Sequence, residues 1–524
     1  MKRLLPVGIQ DFVSIREDDF CYVDKTAGIH RMITASGRAF LLSRPRRFGK
    51  SLLCSTLGAL FEGKRELFNG LAIDSLEWEW KQYPVIRIDL NPGDYTEGIA
   101  TLKAGLQNIL ENAAMELELQ LRGQMASDQF GNLIMDAHRK FGKRVAIIID
   151  EYDKPLLTTI GMRKLHENMR TALKGFYSVL KSSDAHLKFV FLTGVTKFSH
   201  VNVFSELNHF VDLTLNPRYA DLCGITQEEL ERNFGPEIDD VLQKTGRCRK
   251  AYLTDLSRFY SGYRFSEKPV KVYNPFGLLQ HFARDGEFLP YWYETGTPTF
   301  LINRIIDQRV NIVELCNMRV GYDDIRKYDI ETLSAESLLY QSGYLTIADY
   351  DEDLKQFVLD YPNDEVRTSF AKSLIEQYFR PCRESSACVK IRLPRFLFKG
   401  DIDGVMDALQ SFFALVPPNV INEMENFYET TLHVIFSTIG INFRSEVRIA
   451  DGGIDALVET EDFVYCFEFK PEGTAEEALA RISSKDYLLP WTGSGKTLFK
   501  IGVSFERGKC DIDDWKVELS ATGD

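Results

Sequence analysis

From the N-terminus to Phe198, short apolar runs alternate with segments whose apolar positions recur at helical spacing. "RAFLLS", "PVIRIDLN", "RVAIIIDEYDKPL" and "LKFVFLTGVTKF" are brief, apolar and rich in β-branched or aromatic residues, which predicts buried strands. Between them "TAGIHRMITAS", "MRTALKGFYSVLKSS" and "KSLLCSTLGALFEG", with Leu52, Leu53, Leu57, Leu60 and Phe61 on one face, predict helices. Strands alternating with helices predict an α/β sandwich around a mainly parallel sheet.

After Pro217 the pattern turns helical. "TQEELERNF", "EIDDVLQKTG" and "RKAYLTDLSRFYSGY" are joined by Gly and Pro turns, and the aromatics of "YNPFGLLQHF" fall at helical spacing, as core residues do. Thr297-Pro298 offers a hydroxyl N-cap followed by proline, the start of a helix. "SAESLLYQSGYLTIADYDEDLKQFVLDYPN" predicts a helix and then a β-hairpin, the order of a winged helix. Its turn, "DYDED", is acidic, which opposes a DNA-reading wing and favours packing or a protein partner, including a second copy of this chain. Boundaries follow at 1–216, 217–300, 301–385, a helical linker at 386–418, and 419–524.

The last segment has its own order. "ENFYETTLHVIFSTIG" is an amphipathic helix ending at Gly440, three strands follow ("INFRSEVRIA", "IDALVET", "FVYCFEFK"), then a helix opened by the capping box Thr474/Glu477, and "TLFKIGVSF" as the closing strand. Helix, three strands, helix, strand is the core order of a restriction-endonuclease-like α/β domain.

Composition narrows the setting. At 524 residues, 44% of them hydrophobic, the chain can bury several cores. "MKRLLPVGIQDF" breaks its apolar run at Pro6, Gln10 and Asp11, unlike a signal peptide, and no stretch reaches the roughly 20 apolar residues that span a bilayer. The nine cysteines form no CxxC pair. A cytoplasmic protein without a membrane partner is expected. The net charge of −13 opposes general nucleic-acid coating but leaves room for a local basic groove.

Two stretches end like a phosphate-binding loop: "SRPRRFGKS" (Ser43 to Ser51) and "TGSGKT" (Thr492 to Thr497). Such a loop lies between a buried strand and a helix N-terminus, where backbone N–H groups and a lysine meet phosphates and a hydroxyl holds magnesium. The early stretch has that strand and helix; the late one follows Pro490-Trp491 and enters a strand. Neither has the first glycine of the usual motif, whose place falls on Arg44 and Pro490. The run ending in Asp150-Glu151 supplies acids to the carboxyl edge of the sheet, one suited to magnesium and the other to the attacking water. Thr193, Thr196 and Lys197 end a further strand, where they either sense a γ-phosphate or satisfy loop backbone.

With "LPVGIQDF", "CYVDKT", "RPRRFGKSLL", "IIIDEYDKPL", "TGVTKFS", "NPRYADLCG", "YSGYRFSE", "VYNPFGLL" and "ETGTPTFL" in order, the chain resembles the bacterial AAA-ATPase-like family joined to a C-terminal PD-(D/E)XK nuclease-like domain. RPRRFGK[ST] is that family's own P-loop. The resemblance implies that ATP and Mg2+ bind at a loop including Phe48, Gly49, Lys50 and Ser51, that Asp150 and Glu151 are the Walker B pair, and that Tyr22 to Thr26 lie near the nucleotide. It makes Arg46, Arg47 and Arg218 candidate stabilisers of phosphate charge.

In the last domain, period-2 alternation puts Glu468 and Lys470 on one strand face, with Asp455 across the hairpin turn. Asp455 and Glu468 suit magnesium and Lys470 suits the attacking water or developing charge, which would make DNA or RNA the substrate; an exposed Glu/Lys strand face is the alternative. The resemblance adds Glu429 and Glu446 as supporting acids. The chain departs from the family at Arg481, where a glutamine is usual, and at Gly453, where a basic residue is common.

Overall fold

The alternating strands assemble as expected in the computed structural model, which describes residues 4–196, 210–295, 301–302, 305, 315, 318–322, 325, 335–378, 392–413, 435–436, 442–449, 452–470, 473–485, 487–505 and 512–520. Five strands, β1 (Ala39–Ser43), β2 (Val85–Asp89), β3 (Val145–Asp150), β4 (Leu187–Gly194) and β5 (Val211–Asp212), form one sheet in the order β2-β3-β4-β1-β5. Every neighbouring pair is parallel. Parallel strands covered on both faces need side chains that tolerate complete burial, and β3 supplies them: Val145, Ala146, Ile147 and Ile149 are all at 0% exposure. Each such Val or Ile contributes about 1.5–3 kcal/mol of burial.

The helices Lys50–Phe61 and Ala126–Phe141 pack on β3, and Ile99–Glu116 packs on β2. In register, Ser43 faces Gly194 and Asp89 faces Asp150, so the carboxyl ends of four strands meet at one edge. Polar residues gather at that edge while the strands behind them stay dry.

The helices Gln227–Asn233, Gly235–Thr245, Arg249–Tyr260 and Pro275–Ala283 enclose an aromatic core of Phe234, Tyr252, Tyr260, Tyr273 and Phe282. The aromatics of this region are core residues, as their spacing suggests. A short ribbon, β6 (Tyr263–Arg264) and β7 (Lys271–Val272), precedes the last of these helices. The helix Ala335–Ser342 and its hairpin are present, and β8 (Met318–Gly321) joins β9 (Thr346–Asp351) and β10 (Gln356–Asp360) in the order β8-β10-β9. Glu352 and Asp353 are exposed at the hairpin tip.

The chain divides into two units, Met1–Gly296 with Asn317–Asn363, and Thr297–Cys316 with Asp364–Asp524. In the second, β11 (Asn442–Ile449), β12 (Gly452–Glu459), β13 (Phe463–Lys470), β14 (Thr497–Phe505) and β15 (Ile512–Ser520) lie side by side in chain order. Only β13 and β14 are parallel, and the helix Ala475–Ser484 crosses between them. That helix opens on the expected Thr474/Glu477 capping box. The sheet departs from expectation in not closing at β14, because β15 pairs along nearly its whole length. The Thr297-Pro298 helix start and most of "ENFYETTLHVIFSTIG" fall outside the described residues. No helix among the described residues is long and apolar enough to cross a membrane.

Candidate functional site

The loop after β1 solves its backbone problem without the missing first glycine. Positive φ falls at Arg47 (64°) and Gly49 (88°), and not at Arg44, so the loop turns later than the usual motif does. Gly49 caps the helix Lys50–Phe61, whose first N–H groups open toward the carboxyl edge of the sheet. Arg47 at positive φ costs about 1–2 kcal/mol. Part of that is offset where its guanidinium lies 4.8 Å from the Phe276 ring centroid.

The three arginines of this loop do different things. Arg44, 1% exposed, donates from Nη1 to the carbonyls of Ser43 and Thr214 and from Nη2 to Tyr219, and stacks 4.2 Å over Phe265. It is a strut that ties the loop to the segment after β5. Arg46 and Arg47 are exposed, and the Arg46 carbonyl accepts from Trp292 Nε1 at 2.9 Å. Phe48 is buried against Tyr263 and Phe265. Arg218 is exposed on the turn Pro217–Tyr219, its N–H held by Asn216 and its carbonyl by Arg31.

Lys50 reaches back across the loop. Its Nζ lies 3.2 Å from Glu151 Oε1 and donates to the Pro45 carbonyl. Burial opposes its charge, but Glu151, Asp150 and Asp153 outweigh that and raise its pKa. Asp150 is pushed up to about 6 by burial and by Glu151, against the Ser51 hydroxyl that hydrogen-bonds to it and the nearby Lys50. Glu151 holds a positive φ of 50°, which turns it out of the β3 line toward Lys50. Lys50, Ser51, Asp150 and Glu151, far apart in sequence, are thus one cluster.

Two further acids join this edge that the motif reading passed over. Asp89 faces Asp150 across the β2/β3 register. Asp153, fully buried, accepts from Val195 N, Thr196 N and Thr196 Oγ1, which ties the turn after β3 to the end of β4. Thr193 donates to the Leu42 carbonyl and Thr196 to Asp153, so both hydroxyls serve the scaffold here. Lys197 is outside the described residues.

Beside the loop runs an apolar cleft of about 90 Å³. Phe48, Gly49, Leu52 and Thr56 form one wall, Tyr22, Val23 and Lys25 another, and Gly224, Ile225 and Leu279 a third. Lys25 is held there by Glu229 at 2.6 Å, and Asp24 is locked by accepting from Thr26 and Ala72. Tyr22, Val23 and Lys25 of "CYVDKT" thus share one cleft with Phe48 and Gly49 of the loop.

In the second unit, Glu468 is opposite Gly502 on β14, and Phe467 opposite Ala456 on β12, which places Asp455 and Glu468 at neighbouring register positions. Glu446 occupies the matching position of β11, between Ser445 and Val447. Asp455 accepts from the Phe469 N–H at 2.8 Å, and Lys470 lies two residues on from Glu468. Glu468 is at 0% exposure, neither carboxylate oxygen has a partner in hydrogen-bond geometry among the described residues, and burial with the Asp455 charge pushes its pKa up to about 7. A buried, underbonded carboxylate next to a second acid fits the ligand set of a hard cation. The Arg481 guanidinium makes an ion pair with Glu468. Tyr487, also fully buried, has its hydroxyl in this group beside Arg481 and Glu468. Glu429 lies outside the described residues.

"TGSGKT" is a turn. Gly493 and Gly495 take φ of 97° and 75°, and Thr497 begins β14. Lys496 Nζ donates to Glu459 and to the Thr460 carbonyl, at the far end of β13 from Glu468.

Comparison with known proteins agrees with both halves. Residues 6–204 match the family described as predicted AAA-ATPase, and residues 423–515 match the PD-(D/E)XK nuclease superfamily. The chain is 34% identical over 531 residues, covering 99% of both sequences, to an uncharacterized protein in the vnfD 5' region of Azotobacter chroococcum mcd 1. The chain therefore belongs to the predicted AAA-ATPase family and carries a C-terminal domain of the PD-(D/E)XK nuclease superfamily.

Proposed function

We propose that the chain is a cytoplasmic ATPase that binds magnesium-ATP at "RPRRFGKS" and uses the nucleotide to control a metal-dependent nuclease at its C-terminus. The observation that carries the first half is the cluster of Lys50, Ser51, Asp150 and Glu151 at a sheet edge beside an apolar cleft. Phosphates would sit on the loop N–H groups with Lys50, Ser51 and Asp150 would hold magnesium, and Arg46, Arg47 and Arg218 would be available to phosphate charge. Glu151 would orient a water and accept its proton as the water oxygen bonds to the γ-phosphorus and the bond to ADP breaks. Lys50, now engaged with Glu151, would exchange that partner for phosphate. The cleft would take the base. ATP binding at the wild-type level by a Lys50→Ala protein would overturn this half.

For the second half, Asp455 and Glu468 would hold a divalent ion, which when bound supplies Lewis-acid activation of a phosphodiester. Lys470 would orient the attacking water or hold the developing negative charge. DNA or RNA would be the substrate. The five-part division at 216, 300, 385 and 418 stands as the proposed domain organisation, with the acidic hairpin of the third part as a partner or self-association surface.

A second reading has its own support: the Arg481–Glu468 ion pair suits a nuclease fold used only for binding, within a nucleotide-dependent switch. Cleavage assays with magnesium or manganese, under ATP, ADP and no nucleotide, separate the two. Cleavage lost in Asp455→Ala and Lys470→Ala supports the nuclease; no cleavage of any nucleic-acid form supports the switch.

A further inference from the structure

Glu468 and Arg481 come from different elements, the strand β13 and the crossover helix Ala475–Ser484. They meet because the helix lies directly on β14: a side chain at Gly502, opposite Glu468, would stand 2.3 Å from the Ala475 carbonyl oxygen. That close seat sets Arg481 over the row of acids. Glu468 itself has no exposure, whereas 40% of the Arg481 side chain is exposed, so the guanidinium stands between solvent and the carboxylate. Asp455, Lys470 and Lys485 also act on Glu468, and Arg481 is in ion-pair contact with it. Among the described residues neither Glu468 oxygen has a partner in hydrogen-bond geometry, so the guanidinium contact is what meets the carboxylate charge.

We propose that Arg481 is a built-in competitor of the divalent ion at this site, a resident cation that must leave Glu468 before metal can enter. The inference rests on the metal-site reading given above. A guanidinium and a hard divalent ion want the same oxygens, and one buried carboxylate beside one acid cannot keep both in contact. Apparent metal affinity is then reduced by the fraction of molecules in which Arg481 is displaced. Arginine in place of a neutral side chain sets the metal concentration at which this domain loads. The same departure from the family pattern that favours an inert fold thus becomes a threshold in a working one.

The test is Mn2+ binding to the full-length, nucleotide-free protein, followed by electron paramagnetic resonance of the free ion, for wild type, Arg481→Gln, Arg481→Lys and Asp455→Asn. The component of binding lost in Asp455→Asn reports this site. Arg481→Gln is expected to tighten that component about tenfold, the scale on which groups bordering metal ligands act. Arg481→Lys, which keeps the charge on a more mobile stem, is expected to fall between wild type and Arg481→Gln. An Asp455-dependent component of unchanged or weaker affinity in Arg481→Gln overturns the role of Arg481 and leaves the metal site standing. Absence of any Asp455-dependent component, in wild type and Arg481→Gln alike, overturns the metal-site reading and this inference together. If Arg481→Gln does not fold, Arg481→Lys decides, since affinity equal to wild type there overturns the competition.

Discussion

Lys50 Nζ and Glu151 Oε1 are 3.2 Å apart, so the lysine of the candidate phosphate loop is held by the acid of the candidate hydrolytic pair. Any nucleotide that draws Lys50 onto its phosphates frees Glu151 in the same movement. Glu151→Gln keeps the shape and removes the base; it is expected to bind ATP at least as well as wild type while hydrolysis falls about 100-fold. Equilibrium binding of a fluorescent ATP analogue and steady-state phosphate release check the two parts separately. Loss of binding with retained hydrolysis would refute the assignment.

Arg44 makes a different prediction from its neighbours. Its guanidinium satisfies the Ser43, Thr214 and Tyr219 carbonyls in a dry setting. Arg44→Ala strips all of them and opens a cavity, and is expected to cost about 3–5 kcal/mol of stability in urea unfolding. Arg44→Lys should recover little, because an ammonium cannot span the planar set of acceptors. Arg46→Ala, at an exposed position where the guanidinium meets the Tyr344 hydroxyl, is expected to cost about 1 kcal/mol, the worth of one hydrogen bond.

His281 gives the first unit a pH dependence. Its Nδ1 faces the Glu287 carbonyl at 3.0 Å and must donate there, so Nε2 accepts from the Tyr252 hydroxyl at 2.7 Å. The ring is buried neutral, and burial lowers its pKa to about 4 from the ordinary value of 6.5. Between those values the unfolded chain takes up a proton that the native state refuses. The stability is present above pH 6.5 and lost as pH falls toward about 4, by roughly 3 kcal/mol in all. Asp150, raised to about 6, acts in the opposite direction, so the measurement is the difference between wild type and His281→Gln in urea midpoints across this range. The difference should shrink as the pH is lowered.

Much of this was legible in the sequence because local pattern and tertiary demand coincide. The all-buried β3 reads as a continuous apolar run, and the Thr474/Glu477 box announces its helix. Asp150 and Glu151 are legible because a central strand delivers its end residues to one edge. Arg44 was not, since in the sequence it only takes the place of the motif's first glycine, and the carbonyls of Thr214 and Tyr219, some 170 residues on, are what make it structural. β15 was missed for a physical reason: edge strands carry charges that guard against further pairing, and "IDDWKVELS" looks like a tail. Arg481 stood out as a substitution, but nothing local shows that a helix residue reaches a carboxylate thirteen positions earlier.

Lys496 separates the two GK stretches by experiment. Its Nζ joins Glu459 and the Thr460 carbonyl, closing the turn between β12 and β13. Lys496→Ala is expected to leave ATP affinity unchanged and to lower stability by about 1–2 kcal/mol, the worth of a partly buried charged hydrogen bond. Nucleotide titration and thermal unfolding of the same protein settle both halves. A loss of ATP binding would return "TGSGKT" to consideration as a phosphate loop.

Gly502 controls the seat on which the nuclease-like row depends. A Cβ there would lie 2.3 Å from the Ala475 carbonyl oxygen and 2.5 Å from the Leu479 nitrogen, both backbone atoms of a helix that cannot yield without leaving the sheet. Gly502→Ala is therefore expected to destabilise the C-terminal domain by about 3 kcal/mol through overpacking alone. Gly495→Ala offers the contrast: at φ 75° with nothing within 4 Å of its Cβ, it carries only the backbone penalty of about 1 kcal/mol. Unfolding of the two variants side by side distinguishes crowding from conformation, and the larger loss at Gly502 should be accompanied by weaker protection of the Ala475–Ser484 amides in hydrogen exchange. Equal losses at the two glycines would mean that the helix is not seated on β14 as described, and the approach of Arg481 to Glu468 would lose its structural basis.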